Sequence, residues 1–202
     1  MLKVGITGNI GSGKTTVSKV FEILGVPVFY ADDAAKNVMV TDKILIDGIK
    51  AAFGDISYFA DGTLNRKHIA SIVFNDEGKL AKLNELVHPA VFRAFDEWAV
   101  QKTNAPYIMK EAALLFESNS YKMCDNTIMV TAPLELRIKR VMNRDGFNRE
   151  DILSRDARQF TEDKKIALAD FVIRNDDTEL VIPQVLALHE QFLSLVNGHQ
   201  AV

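Results

Sequence analysis

Two glycines five positions apart, Gly8 and Gly13, precede Lys14 and the hydroxyl residue Thr15 in the stretch GITGNIGSGKTT, residues 5–16. Gly11 adds a third glycine inside the loop. Residues without a Cβ let the backbone wrap closely around an anion with successive N–H groups turned inward. A helix that begins directly after such a loop adds positive potential at its N-terminus. In the pattern G-x-x-x-x-G-K-[ST] the lysine reaches between the β and γ phosphates of a triphosphate, and the hydroxyl serves Mg²⁺. The pattern carries this meaning only between a strand and a helix. LKVGIT before the loop is a short, largely apolar run with β-branched residues, which reads as a buried strand. Val17, Val20, Phe21 and Leu24 after it keep helical spacing, with Gly25 to close the helix. Gly11, Ser12, Gly13, Lys14, Thr15 and Thr16 are therefore expected to bind a nucleoside triphosphate, ATP, with Mg²⁺. The bland alternative, a glycine-rich turn with an exposed lysine, does not call for those flanks.

The second candidate group is a carboxylate. VPVFY, residues 26–30, reads as the next strand, and ADD follows directly. Asp32 then sits at the carboxyl end of a strand, where open α/β sheets bind ligands. A carboxylate there can accept a hydrogen bond from an attacking hydroxyl, complete a Mg²⁺ shell, or do both. Phosphoryl transfer asks mainly for orientation and charge stabilisation, so a weak base suffices. Asp32 or Asp33 capping the next helix explains the same residues. Spacing leaves both readings open.

The elements that must position these groups come next. The third strand is expected only at Tyr107–Met109, and the long interval before it looks helical. Leu45, Ile49, Ala52 and Phe53 keep helical spacing, as do Leu80, Leu83 and Val87. Beyond a kink at Pro89 come Val91, Phe92, Phe95 and Trp98. These stripes read as core, and the insertion is placed to hold an acceptor. NTIMV (126–130) reads as a fourth strand, with Thr131 and Pro133 opening a helix. On that helix Arg137, Arg140 and Arg144 lie apart from the apolar side of Leu134, Ile138 and Val141. They make either a solvated cationic face or a set that closes over a triphosphate. Asn148, three residues before Asp151, starts another helix, and the hairpin so formed suits a lid. LADFVIRND (168–176) gives a fifth strand, after which Asn175 can read an adenine edge or simply end the strand. Glu111, at the end of the third strand, can hold a Mg²⁺ water or be a surface carboxylate. The expected architecture is α/β. A five-stranded parallel sheet flanked by helices is built from residues 1–31, 105–135 and 157–202, with a helical insertion at 32–104 and a lid at 136–156.

Composition bounds the function. The 202 residues suffice for one well-packed domain with modest insertions. A formal charge of −3 argues against a general nucleic-acid binder. Cys124 is the single cysteine, so neither an internal disulfide nor a thiolate zinc cage is expected, and a reducing cytoplasm fits. No apolar run approaches the length of a membrane span. His68, His88, His189 and His199 are too scattered for a metal cluster.

The accumulated stretches resemble one family, the dephospho-CoA kinases, over nearly the whole chain. TGNIGSGKTT, YADDAAK, DGTLNRKHI, LNELVHPAV, EAALLFES, IKRVMNRD, SRDARQF and ADFVIRND follow in the family's order. The resemblance implies ATP-dependent phosphorylation of the ribose 3′-hydroxyl of dephospho-CoA; a monomer is expected, with a weak oligomer as the alternative. It implies that Asp32 is the catalytic aspartate beside that hydroxyl and shares Mg²⁺ with Thr15, with Lys14 on the triphosphate. Arg140 would act from the lid, with Arg144 and Asn175 on the nucleotide. Lys36, Arg66, His88 and Pro89 would meet the pantetheine-bearing substrate. The chain departs from the commoner pattern at Asn9 for glycine, Thr15 for serine, Tyr30 for aspartate, Lys36 for arginine and Ala113 for proline. A nucleoside monophosphate kinase shares the loop and the fold, so only the acceptor separates it. A GTPase switch is disfavoured, because the chain has no D-x-x-G and no [NT]-K-x-D segment.

Overall fold

In the computed structural model, which describes residues 1–74 and 76–199 (His199 without its side chain), strands and helices alternate. The order is β1 (Leu2–Thr7), α1 (Lys14–Ile23), β2 (Val28–Tyr30), α2 (Ala31–Thr41), α3 (Lys43–Phe53), α4 (Arg66–Val73) and α5 (Glu77–Val100). There follow β3 (Tyr107–Glu111), β4 (Asn126–Thr131), α6 (Leu134–Asp145), α7 (Arg149–Asp156), α8 (Glu162–Leu168), β5 (Phe171–Arg174) and α9 (Val181–His199). Among the described residues no helix is long and apolar enough to cross a membrane. The chain divides into two compact units, Ala31–Gln101 and the remainder.

The first unit is built on a five-stranded sheet in the order β2-β3-β1-β4-β5, with every pairing parallel. Parallel strands covered on both faces must be apolar throughout. Accordingly Tyr107, Ile108 and Met109 of β3 and Ile128, Met129 and Val130 of β4 are fully buried. Helices α1 and α9 pack on each other and on the sheet. The stripe read from the sequence supplies the contact, since Val17 and Phe21 are fully buried in one core with Val185 and Phe192. Phe192 meets Tyr107 and Phe171 with ring centroids 5.4 Å apart in both cases. The Tyr107 hydroxyl, whose ionisation burial opposes, is satisfied by His189 Nδ1 at 2.7 Å. The central strand β1 has neighbours on both sides, so the loop that follows it opens at the switch point of the sheet.

The second unit is helical, with α5 packing on α2, α3 and α4. Its core holds Val38, Leu45, Ile49, Ile69, Leu83, Val87, Val91 and Phe95. Helix α5 continues as one helix through Pro89, the position of the expected kink. Ala90, Val91, Phe95 and Ala99 continue the buried stripe past the proline, and that burial outweighs one missing helical N–H. Three N-caps set the helix starts. Asp42 accepts from Leu45 N–H at 2.9 Å, Asn65 from His68 N–H at 3.2 Å, and Asp76 from Lys79 N–H at 2.9 Å.

Asp42 does more than cap, because its second oxygen takes Arg93 of α5 at 2.6 Å. Burial pushes its carboxyl up, but the Leu45 amide and Arg93 outweigh that and hold it below the ordinary 3.8. Its stabilisation is therefore complete above the unfolded value and lost as pH falls through the lower folded one. We expect Asp42→Ala to destabilise the chain by about 1–2 kcal/mol in denaturant unfolding at neutral pH. The difference from the unchanged protein should shrink below pH ~4. A difference that stays constant down to pH ~2 would show that the carboxylate charge contributes nothing.

Candidate active site

The glycine loop between β1 and α1 is held open by the backbone and crowded by its neighbours. Gly11 (φ 81°) and Gly13 (φ 90°) occupy the left-handed region that other residues avoid. A Cβ on Gly11 would stand 2.4 Å from the Arg137 carbonyl oxygen, and one on Gly13 would stand 2.2 Å from Asn175 Nδ2. Both spaces are closed to any larger residue. Helix α1 has no side-chain cap, so the amides of Gly13, Lys14, Thr15 and Thr16 lack intrahelical partners. They edge a cavity of about 280 Å³ lined by residues 9–16 together with Arg140, Val141 and Arg144.

Two loop side chains converge on one carboxylate. Glu111 ends β3 opposite Ile6 of β1 and Tyr30 of β2, and it is nearly buried. Its Oε1 lies 3.3 Å from Lys14 Nζ, and its Oε2 accepts from the Thr15 hydroxyl at 3.2 Å. A hydroxyl and a carboxylate are hard oxygen donors, the set that suits Mg²⁺. Among the described residues no group of three or more His, Cys, Asp or Glu is arranged to hold a metal.

The three arginines of α6 divide. Arg140 donates to the Asn175 carbonyl at 2.9 Å and pairs with the exposed Asp177 at 2.8 Å. Arg144 makes a bidentate pair with its neighbour Asp145 at 2.8 and 2.7 Å. Both line the cavity. Arg137 does not, and is buried. Its guanidinium donates to Ala132 O (3.0 Å), Ile10 O (3.2 Å) and Asp156 Oδ1 (2.6 Å), with Glu162 3.7 Å away. One helix therefore turns two arginines to the cavity and one to the underside of the loop. Asn175, expected at an adenine edge or a strand end, gives its amide to Ser12 O at 2.8 Å.

Behind the loop lies a set of residues that spacing gave no reason to single out. Asn9, in place of the family's usual glycine, donates to Asp156 Oδ1 (3.2 Å) and to Phe160 O (3.1 Å). Gln159 accepts from Ile10 N–H at 2.8 Å and donates to Ala113 O at 3.2 Å. That carbonyl also takes Thr7 Oγ1 (3.3 Å) and Lys165 Nζ (2.9 Å). Proline has the same carbonyl, so alanine at 113 keeps this junction. Lys165 is fully buried and pairs with Glu117 at 3.0 Å. Burial lowers its ammonium from the ordinary value, with Glu117 opposing. Glu117 also takes Phe160 N–H at 2.7 Å, and Thr131 donates to Glu162. Ala113 and Glu117 fall inside EAALLFES, and Asp156, Gln159 and Phe160 inside SRDARQF, so the signal for these was resemblance, whereas Thr131, Glu162 and Lys165 fall in neither stretch. Cys124 is inert by comparison, since burial pushes its thiol up to about 11.

The remaining candidates belong to the second unit. Asp32 and Asp33 lie in the first turn of α2, where negative charge suits the helix dipole. Asp33 binds Lys36 at 2.7 Å, and Asp32 is exposed. The Asp33 hydrogen bond holds the Lys36 ammonium above its ordinary value, with Asp32 raising it further and Arg66 opposing. Asp32, Lys36 and Arg66 thus share one electrostatic neighbourhood. His88 stacks on Phe92 one turn along α5, with centroids 6.4 Å apart, and Pro89 beside it is exposed. Of the other histidines, His68 Nε2 meets Phe53 O at 3.3 Å and His189 serves Tyr107. The side chain of His199 lies outside the described residues.

Comparison with known proteins agrees with this geometry. The family model for dephospho-CoA kinase matches residues 2–180. A dephospho-CoA kinase of Chlorobium chlorochromatii is 41% identical over 199 residues, covering 95% of this chain and 94% of its own. A solved structure from Thermus thermophilus superposes with a TM-score of 0.80 at 33% identity, covering 96% of each chain. The dephospho-CoA kinase of Campylobacter jejuni does so at 0.68 and 26%, covering 96% of this chain and 98% of its own. The fold is that of the phosphate-loop kinases, and the chain belongs to the dephospho-CoA kinase family.

Proposed function

We propose that the chain transfers the γ-phosphoryl group of ATP to the ribose 3′-hydroxyl of dephospho-CoA, giving CoA and ADP, the last step of coenzyme A synthesis. The observation that carries this reading is the convergence of Lys14 and Thr15 on Glu111 beside the glycine-loop cavity. It occurs in a chain that the family model matches over residues 2–180.

In this reading the triphosphate lies in the cavity, against the free amides of Gly13 to Thr16 and those of the loop before them. Gly11, Ser12 and Gly13 shape the cradle. Lys14 exchanges Glu111 for phosphate oxygens. Thr15 and Asp32 would hold Mg²⁺, with Glu111 on its water shell. When bound, Mg²⁺ offsets charge on the phosphate oxygens. Arg140 stabilises the charge that spreads over the transferring group. Its present partner Asp177 is exposed, and such a pair is worth little, so the exchange is cheap. Arg144 can leave Asp145 on the same terms. Asn175 serves the nucleotide by holding the Ser12 carbonyl.

The helical unit takes the acceptor. Asp32 accepts the hydrogen bond of the ribose hydroxyl and receives its proton as the new O–P bond forms. The bond to the β–γ bridging oxygen breaks, and ADP leaves. Lys36 and Arg66 meet the substrate's phosphates, while His88 and Pro89 border its pantetheine arm. Residues 136–156 act as the lid, with the Arg144 end moving and Arg137 anchored. Every group named belongs to one chain, so a monomer suffices.

Asp32→Asn should leave ATP affinity within about twofold while lowering kcat by roughly 10² or more. Turnover near that of the unchanged protein would reduce Asp32 to a helix-dipole residue. Lys14→Ala should raise the KM for ATP and lower kcat together, because it removes a contact made before and during transfer. A coupled ADP-release assay with dephospho-CoA, AMP, CMP and shikimate tests the acceptor. Turnover is expected with dephospho-CoA alone, and turnover of AMP or CMP without it would overturn the assignment.

A further inference from the structure

A phosphate cradle works only if its carbonyl oxygens face away from the anion and stay there. Around Ile10 and Ser12 the chain arranges this with side chains from separate elements. Gln159, in the turn after α7, takes Ile10 N–H at 2.8 Å. Arg137 of α6 donates to Ile10 O at 3.2 Å, and Asn175 after β5 donates to Ser12 O at 2.8 Å. The Ile10 side chain is anchored as well, in a cluster with Ile138, Val141, Ile152 and Phe147. Ile10 N–H is thus tied to Gln159 and Ser12 N–H to the Asn9 carbonyl, while Gly11 and Gly13 to Thr16 line the cavity.

We infer that Gln159 is a positioning residue for nucleotide binding: its carboxamide clamps Ile10 N–H to the Ala113 carbonyl and so sets the direction of the loop amides that meet the triphosphate. The inference rests on the proposed ATP site and adds to it a group that touches no substrate. The clamp has two ends. Oε1 faces the loop and Nε2 faces Ala113, where Lys165 Nζ already donates at 2.9 Å. A carboxylate in the same place would still accept from Ile10 N–H while losing the donor to Ala113, whose carbonyl keeps Thr7 and Lys165. Methionine fills similar volume with no acceptor for the amide. The two substitutions thus separate the hydrogen bond from the packing.

The test is steady-state kinetics of the full chain with ATP and dephospho-CoA varied in turn. Gln159→Met should raise the KM for ATP about fivefold, the weight of one net hydrogen bond. The KM for dephospho-CoA and kcat should stay within about twofold, since the amides bind the ground and transition states alike. Gln159→Glu should return the KM for ATP to within about twofold of the unchanged protein. A general loosening of the fold would move both substrates and kcat together, and that outcome overturns the inference. So does an unchanged KM for ATP in Gln159→Met, or equal defects in the two variants. If the methionine variant does not fold, Gln159→Ala takes its place with the same expected rise and the same refuting outcomes. Lys14→Ala, run in parallel, separates the layers of the argument. If it raises the KM for ATP while Gln159→Met does not, this inference alone fails. If Lys14→Ala is also silent, the ATP site fails and this inference with it.

Discussion

Anion binding by a backbone is a problem of aligning dipoles. Each peptide that offers an N–H to phosphate carries a carbonyl that would repel it, and unpaired buried carbonyls are themselves costly. Here Asn9 O is taken by Ser12 N–H at 3.0 Å, Ile10 O by Arg137 and Ser12 O by Asn175. Once those groups are tied down, the remaining amides have one direction left. Much of the first unit follows from this. The crowding at Gly11 and Gly13 comes from the side of Arg137 and Asn175, so the glycines and the clamps answer the same need.

Three ion-paired groups surround the loop: Lys14 with Glu111, Arg137 with Asp156 and Glu162, and Lys165 with Glu117. Burying an isolated charge is prohibitive, but Arg137 has Asp156 and two backbone carbonyls, and Lys165 has Glu117 and the Ala113 carbonyl. Lys165 shows the balance, with its ammonium lowered by burial and held up again by Glu117. Such pairs add little net stability, and their effect is geometric. Hydrogen bonds join residues 9–10, 113–117 and 156–165 to one another.

The helical unit solves a simpler problem. Three side-chain caps and one apolar stripe on α5 organise it, and Asp32, Lys36 and Arg66 remain exposed. Asp32, Lys36 and Arg66 influence one another without being buried. A surface of that kind can trade its internal pairs for those of a charged substrate at small cost.

The elements of this protein were legible in its residues because periodicity is a local property. LKVGIT, NTIMV and the stripe of Val17, Val20, Phe21 and Leu24 each need a particular period to be buried, and the structure gives each the element expected. The loop was equally plain, since its glycines, lysine and hydroxyl act within one short stretch. The division of labour among Arg137, Arg140 and Arg144 was not legible. Helical spacing sets the angle between side chains but not what surrounds each one. Gln159, Lys165 and the Ala113 carbonyl were invisible for a related reason. A carbonyl leaves no mark on a sequence, and a carboxamide becomes a clamp only when folding carries it to an amide 149 positions away. Local chemistry was written in the order of the residues, whereas the partners that aim it exist only once distant segments have been brought into contact.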